Sequence, residues 1–157
     1  MMRSPGYHRH RQRGAAAIEF ALLFVLFFVV FYALVSYAIA MMLKESFQHA
    51  AEEGARSAIA VDSLAFASDS AYHSGVEPQV RTTVGNSLTW LPQPVKDQVL
   101  GVGNANVQTG WSGDTLTVTV SYTGYTSNPL MPILTFPAIG QVPRLPADLT
   151  GRAVIDL

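Results

Sequence analysis

The residues with the most chemical meaning in this chain lie close together near its N-terminus. Gly14 follows a basic segment, and Glu19 stands at the start of a long apolar run. If the peptide bond after Gly14 were cut, Ala15 would carry a new α-ammonium group about one helical turn from the Glu19 carboxylate. Opposite charges attract strongly in a low dielectric, although desolvation offsets much of that attraction. Within one helix the pair would be weak, but between adjacent staggered helices it would fix the axial register of a polymer.

Glu19 also has a simpler interpretation. A carboxylate at the edge of a bilayer is costly unless it is paired or reaches water. The side chain could therefore extend to the cytoplasmic interface and have no further role. Both interpretations require Glu19 to stand at the mouth of a membrane-spanning helix.

An uncharged apolar run follows Glu19 directly. Residues 20–43 contain no charge, and Ser36 is their only strongly polar side chain. A helix of this length measures roughly 36 Å, enough to cross a hydrocarbon layer of about 30 Å. The small residues Ala38 and Ala40 leave open a cleaved secretory signal, but the apolar stretch far exceeds the usual 7–15 residues, roughly, of such a signal. We therefore predict a membrane-spanning helix.

Charge is distributed unevenly around this helix. The four basic residues before Glu19 have no acidic residue among them, whereas residues 44–157 contain six basic and ten acidic residues. Because basic flanks stay on the cytoplasmic side, we expect a cytoplasmic N-terminus and an extracytoplasmic C-terminal part. The topology would be set by Arg9, Arg11 and Arg13. The basic arm is too short, and too poor in aromatic residues, to favour nucleic acid as a partner.

The helix is expected to continue to about residue 60. Apolar, mostly small residues recur at helical spacing beyond the membrane, and they predict a stripe that covers the chain's own domain: Leu43, Phe47, Ala50, Ala51, Gly54, Ala55 and Ala58. Glu52 and Arg56 stand four residues apart on another face, in the favourable order for an exposed ion pair.

The rest of the chain predicts a second helix and a small sheet. Residues 62–75 are rich in Ser, Ala and Asp and suggest a connector. A helix follows, with Pro78 in its first turn and Pro92 at its end, and residues 95–100 add a short turn. Residues 106–109 and 116–122 predict a β-hairpin around a turn at 112–114, and residues 150–157 a closing strand. The proline-interrupted segment 128–134 is expected to be an apolar loop that covers the core or lies near the bilayer.

Together these elements predict an α+β fold in three parts. We expect a basic leader at 1–14, the membrane-spanning and extended helix at 15–60, and a small extracytoplasmic domain at 61–157. The chain has no cysteine, so it has neither disulfides nor thiolate metal sites. His49 and His73 stand apart, and no nucleophile, phosphate-binding or carboxylate-pair pattern is present. The sequence therefore predicts no enzyme activity, no cofactor and no metal.

Two segments resemble one known family. Arg13-Gly14 followed by residues 15–20 resembles the processing site of Tad/Flp-type prepilins, with cleavage after Gly, Glu as the fifth mature residue and then an aromatic, here Phe20. Residues 50–56 are similar to the Ala-Ala-x-x-Gly-Ala-Arg segment of TadE-like proteins, with Gly54, Ala55 and Arg56 as its end. Two departures are that no proline interrupts the membrane segment and that Ala15, not Phe, follows Gly14. The second departure argues against type II secretion pseudopilins.

This resemblance implies a TadE-like pseudopilin, or minor pilin, that acts in Flp/Tad pilus assembly for surface adherence. It implies a membrane-embedded aspartyl prepilin peptidase as one partner, with pilus subunits and the inner-membrane assembly platform as others. The expected location is the bacterial inner membrane, crossed once, with the C-terminal domain in the periplasm. Incorporation into the extracellular pilus is left open.

An unprocessed membrane protein is the competing interpretation. A bitopic chain with an extracytoplasmic binding or adhesin domain would keep residues 1–14 and would tolerate Glu19→Gln. The mature N-terminus separates the two hypotheses.

Overall fold

One long helix forms the backbone of the molecule. The computed structural model describes residues 13–136 and 140–157. Helix α1 runs Arg13–Ala58 without interruption over 46 residues, which corresponds to about 69 Å. No proline or glycine lies between Gly14 and Gly54 to break it. The predicted end near residue 60 is confirmed to within two residues.

The second helix begins earlier than predicted. Helix α2 spans Asp69–Ser87, so half of the predicted connector at 62–75 is helical. The Ser68 hydroxyl accepts a hydrogen bond from the Ala71 N–H at 3.3 Å, which makes this polar stretch a helix cap rather than a linker. Pro78 lies inside α2, not in its first turn.

Pro92 does not mark the end of α2. It precedes helix α3, Gln93–Val99, which confirms the short turn expected near residues 95–100. Two short 3₁₀ turns, Ser63–Ala65 and Val102–Asn104, complete the helical elements that the structure describes.

The main sheet is antiparallel and has three strands in the order β1-β2-β5. Strand β1 is Gln108–Ser112, β2 is Thr115–Tyr122 and β5 is Leu149–Asp156. The predicted hairpin and closing strand are confirmed, although β1 starts two residues later than expected. Alternate residues of β2 are buried, as predicted for a sheet with one wetted face.

The core lies between the outer half of α1, helix α2 and the inner face of this sheet. All seven residues of the predicted apolar stripe of α1 are buried, which confirms that the stripe covers the chain's own domain. Ala40 belongs to the same core and lies within α1. Cleavage of a secretory signal after Ala40 would therefore cut a packed helix, which argues against that alternative.

Residues 128–142 form more than a loop. They include a second, two-stranded sheet in which β3, Leu134–Phe136, pairs with β4, Gly140–Val142. The prolines in this region hid the short strands, because proline is typical of loops and edges. The Tyr32 hydroxyl donates a hydrogen bond to the Pro132 carbonyl, so the segment lies against the apolar half of α1.

Candidate functional site on the N-terminal helix

The Gly14–Ala15 bond lies in the first turn of helix α1. The first four N–H groups of a helix have no intrahelical partner, and helix ends fray. Gly14 and Ala15 are exposed, and a Cβ added to Gly14 would meet no atom within 4 Å. A partner enzyme could reach this bond without disturbing the packed part of the chain. Arg13 is the first residue of α1, whereas Arg9 and Arg11 lie outside the described residues.

Glu19 lies one turn beyond Ala15 and is exposed. Among the side chains that the structure describes, none forms an ion pair with Glu19. An acidic side chain near a helix N-terminus interacts favourably with the helix dipole. The carboxylate is therefore presented outward, where a group on another molecule can reach it.

An aromatic ladder starts beside Glu19. Phe20, Phe24, Phe28 and Tyr32 stand four residues apart, and the centroids of successive rings lie 6.1, 6.4 and 6.1 Å from each other. The four-residue spacing is visible in the sequence, but the sequence analysis did not use it. The ladder connects the predicted cleavage end of α1 with the contact between Tyr32 and Pro132.

The second motif has a packing role at its first two residues. A Cβ on Gly54 would lie 2.6 Å from the Val84 Cγ2 and 3.3 Å from the Val80 Cγ1, because α2 packs closely here. Ala55 is buried in the core. Arg56 is exposed and lines a surface groove between α1 and β5.

The predicted ion pair between Glu52 and Arg56 is not formed. Glu52 Oε1 instead accepts a hydrogen bond from Gln48 Nε2 at 2.9 Å. Within the described part of the chain, the one ion pair joins Arg81 to Glu77 at 3.5 Å.

Sequence analysis missed the contacts that hold strand β5 on helix α1. Gln48 Nε2 donates to the Arg152 carbonyl at 3.0 Å, and Gln48 Oε1 accepts from the Arg152 N–H at 3.0 Å. A Cβ on Gly151 would lie 2.2 Å from the Phe47 carbonyl carbon. A glycine inside a strand often marks such an approach, and it was the available signal.

The remaining candidate side chains are structural. The His73 ring stacks on Trp111, with centroids 3.8 Å apart and planes 10° apart. Trp111 also packs against the core, whereas Trp90 is 48% exposed. Among residues 13–136 and 140–157, no group of three or more His, Asp or Glu residues could hold a metal ion.

Comparison with known families identifies the same helix. Residues 14–56 match the family model described as TadE-like protein. The match begins at Gly14 and ends at Arg56, so it covers almost all of α1 and leaves the domain that follows outside it. Neither the curated proteins nor the solved structures gave a match to the chain. Through its N-terminal helix, the chain belongs to the TadE-like family.

Proposed function

We propose that this chain is a pilin-like subunit of a Tad pilus, cleaved after Gly14 and assembled through its N-terminal helix. The family match supports a pilus-associated protein, and α1 is long and apolar enough to cross a membrane once. The observation that carries the finer proposal is the exposed arrangement of Gly14, Ala15 and Glu19 at the start of this helix. The role is structural rather than enzymatic.

The proposed orientation places the leader in the cytoplasm and the domain outside the inner membrane. A prepilin peptidase would then meet the Gly14–Ala15 bond at the cytoplasmic side. Cleavage would leave an ammonium group on Ala15 as the new helix end. That group on one subunit would pair with Glu19 on a staggered neighbour, where the low dielectric strengthens the attraction.

The mature N-terminus tests the cleavage step. We expect N-terminal sequencing and intact mass of the membrane-extracted protein to show a start at Ala15 in cells that contain the peptidase. Gly14→Ala should block maturation without unfolding the domain, because Gly14 has no close neighbour. Gly110→Ala, an equally uncrowded glycine in β1, is the matched control and should be processed normally. A start at Met1 or Met41 in cells with normal pili would contradict the proposal.

Glu19→Gln tests the assembly step. The variant keeps the shape of the side chain but loses its charge, so we expect surface pili to be strongly reduced while the domain stays folded. Glu45→Gln alters another exposed carboxylate of α1 and should leave pili unchanged. Normal pili with Glu19→Gln would remove Glu19 from the proposed mechanism.

A further inference from the structure

The uncharged segment beside the apolar helix occupies a position that the membrane should fill. We propose that residues 128–135, here called the wedge, are embedded among lipid acyl chains of the extracytoplasmic leaflet. This inference rests on the proposed membrane placement of α1. It assigns a second membrane contact to the chain, in addition to the spanning helix.

The height of the wedge along α1 is fixed by Tyr32. Its hydroxyl donates a hydrogen bond to the Pro132 carbonyl. If the hydrocarbon layer begins at Phe20, directly after Glu19, then Tyr32 stands about 18 Å above its inner edge. Since the layer is about 30 Å thick, Pro132 lies inside its outer half.

Shifting the helix does not remove the wedge from the membrane at an acceptable cost. If Tyr32 stood at the outer edge of the hydrocarbon, the inner edge would lie about 20 residues earlier, near the start of α1. Glu19 would then be submerged by more than one helical turn. Burying an ionised carboxylate is costly, whereas the wedge carries no charge.

The composition of the wedge suits a lipid environment. No charged residue occurs between Asp114 and Arg144. Two wedge residues, Pro129 and Pro132, have no backbone N–H that would need a partner. Non-helical backbone is tolerated at membrane depth only where its polar groups are satisfied by protein or water.

Tyrosine hydroxyls supply part of that satisfaction. Tyr122 donates to the Asn128 carbonyl at 2.6 Å, and Tyr32 donates to the Pro132 carbonyl. Tyr125, which is fully buried, forms a hydrogen bond with the Leu130 backbone. Three tyrosines therefore hold wedge backbone groups that lipid could not hydrogen-bond.

The burial of α1 agrees with a one-sided covering. Ser36 and Ala40 follow Tyr32 at four-residue intervals, and both are only 1% exposed. Leu34 and Tyr37, on the other side of the helix, are exposed. Trp90 is half-exposed and lines a groove with Met42, at a height where tryptophan is typical of the membrane interface. The wedge would thus limit how far α1 can slide, and so hold the Gly14–Ala15 bond at a constant depth.

The cysteine-free sequence allows a direct test with single cysteines in the full-length chain. Pro132→Cys and Thr135→Cys place a thiol at exposed wedge positions. Each variant would carry an environment-sensitive fluorophore and be reconstituted in phosphatidylcholine–phosphatidylglycerol vesicles with doxyl-labelled lipids. Phe24→Cys, on the lipid-facing helix, is the membrane reference, and Leu64→Cys, 92% exposed in the domain, is the aqueous reference. Circular dichroism checks that each variant is folded.

We expect both wedge probes to be quenched by the doxyl lipids and blue-shifted, as the Phe24→Cys probe is. The Leu64→Cys probe should be neither. Unquenched wedge probes beside a quenched Phe24→Cys probe would overturn the wedge and leave the spanning helix intact. An unquenched Phe24→Cys probe would overturn the membrane placement and the wedge with it.

Discussion

Gly54 shows how one residue of the family segment acts through its missing side chain. Helix α2 passes so close to α1 that a Cβ at this position would overlap the Val84 methyl group. Val84 is fully buried and has little room to move. Glycine is unfavourable inside a helix, so its presence here indicates that close packing outweighs helix propensity.

Gly54→Ala should therefore destabilise the domain, although alanine is the better helix former. Overpacking costs about 1–3 kcal/mol, and the gain in helix propensity returns about 1 kcal/mol. We expect a net loss of about 1 kcal/mol in the free energy of unfolding, measured by denaturant unfolding in detergent. Combining Gly54→Ala with Val84→Ala should cost less than the sum of the two changes, because the methyl that clashes is gone. Additive losses would contradict a steric role for Gly54.

Two tyrosines below the wedge predict an alkaline limit to stability. Burial raises the pKa of Tyr122 and Tyr125 above the ordinary value of 10.0. Above about pH 10 the unfolded chain loses these protons while the folded chain keeps them, so the free energy of unfolding falls as pH rises. Below that pH their contribution is complete.

We expect thermal unfolding measured from pH 8 to 11, on the order of the range that brackets a phenol pKa, to show a falling midpoint at the alkaline end. The double variant Tyr122→Phe and Tyr125→Phe should be less stable at neutral pH, because the hydroxyl bond to Asn128 is lost, but its alkaline decline should be shallower. An equally steep decline in the double variant would show that other groups cause it.

At the scale of elements, strand β5 is the link between helix and sheet. It pairs with β2 along its whole length, and its Gly151 lies against the backbone of α1 at Phe47. Gln48 completes the contact with two hydrogen bonds to the Arg152 backbone. The helix side chain thereby pairs with backbone groups of an edge strand that a further strand could otherwise use.

Gly151→Ala should be more damaging than Gly54→Ala. The added Cβ would overlap backbone atoms, which cannot rotate away as a methyl group can, so we expect a loss of about 3 kcal/mol, at the upper end of overpacking costs. Gly110→Ala in β1 meets no atom within 4 Å and should change stability little. Unfolding midpoints of the two variants give the comparison. Similar midpoints would show that β5 can shift away from the helix.

Local pattern predicted some elements well and others poorly for identifiable reasons. The stripe on α1 and the alternation in β2 depend on periodicity within one element, and both were predicted correctly. The start of α2 was missed because Ser68 caps a helix in a stretch whose composition is typical of a linker. The contact between Tyr32 and Pro132 joins residues 100 positions apart, so no local pattern could reveal it. Gly14 and Glu19 were found because their meaning depends on spacing alone.

For the whole molecule, α1 is both the proposed membrane anchor and a wall of the core. Residues 43–58 of the helix supply the apolar face on which α2 and the sheet pack, including Phe47, Ala50 and Ala51. The folded domain therefore extends into the helix, and a division at the end of α1 would separate the domain from part of its own core.

A fragment of residues 41–157 should accordingly fold as a soluble unit, whereas residues 59–157 should not. The shorter fragment exposes the inner face of the sheet and loses the helix that buries it. Circular dichroism and cooperative thermal unfolding distinguish the two. Hydrogen exchange on the longer fragment should show faster exchange in residues 128–136, which lose Tyr32, than in β2. A cooperatively folded 59–157 fragment would contradict the central place of α1.

The continuity of α1 has a mechanical consequence. Because no proline or inner glycine interrupts the helix from Ala15 to Gly54, the stalk contains no joint at which traction could be absorbed. A force that draws the N-terminal end out of the bilayer would be delivered to the head domain without slack. The head would rise and turn with the stalk as a lever turns with its shaft.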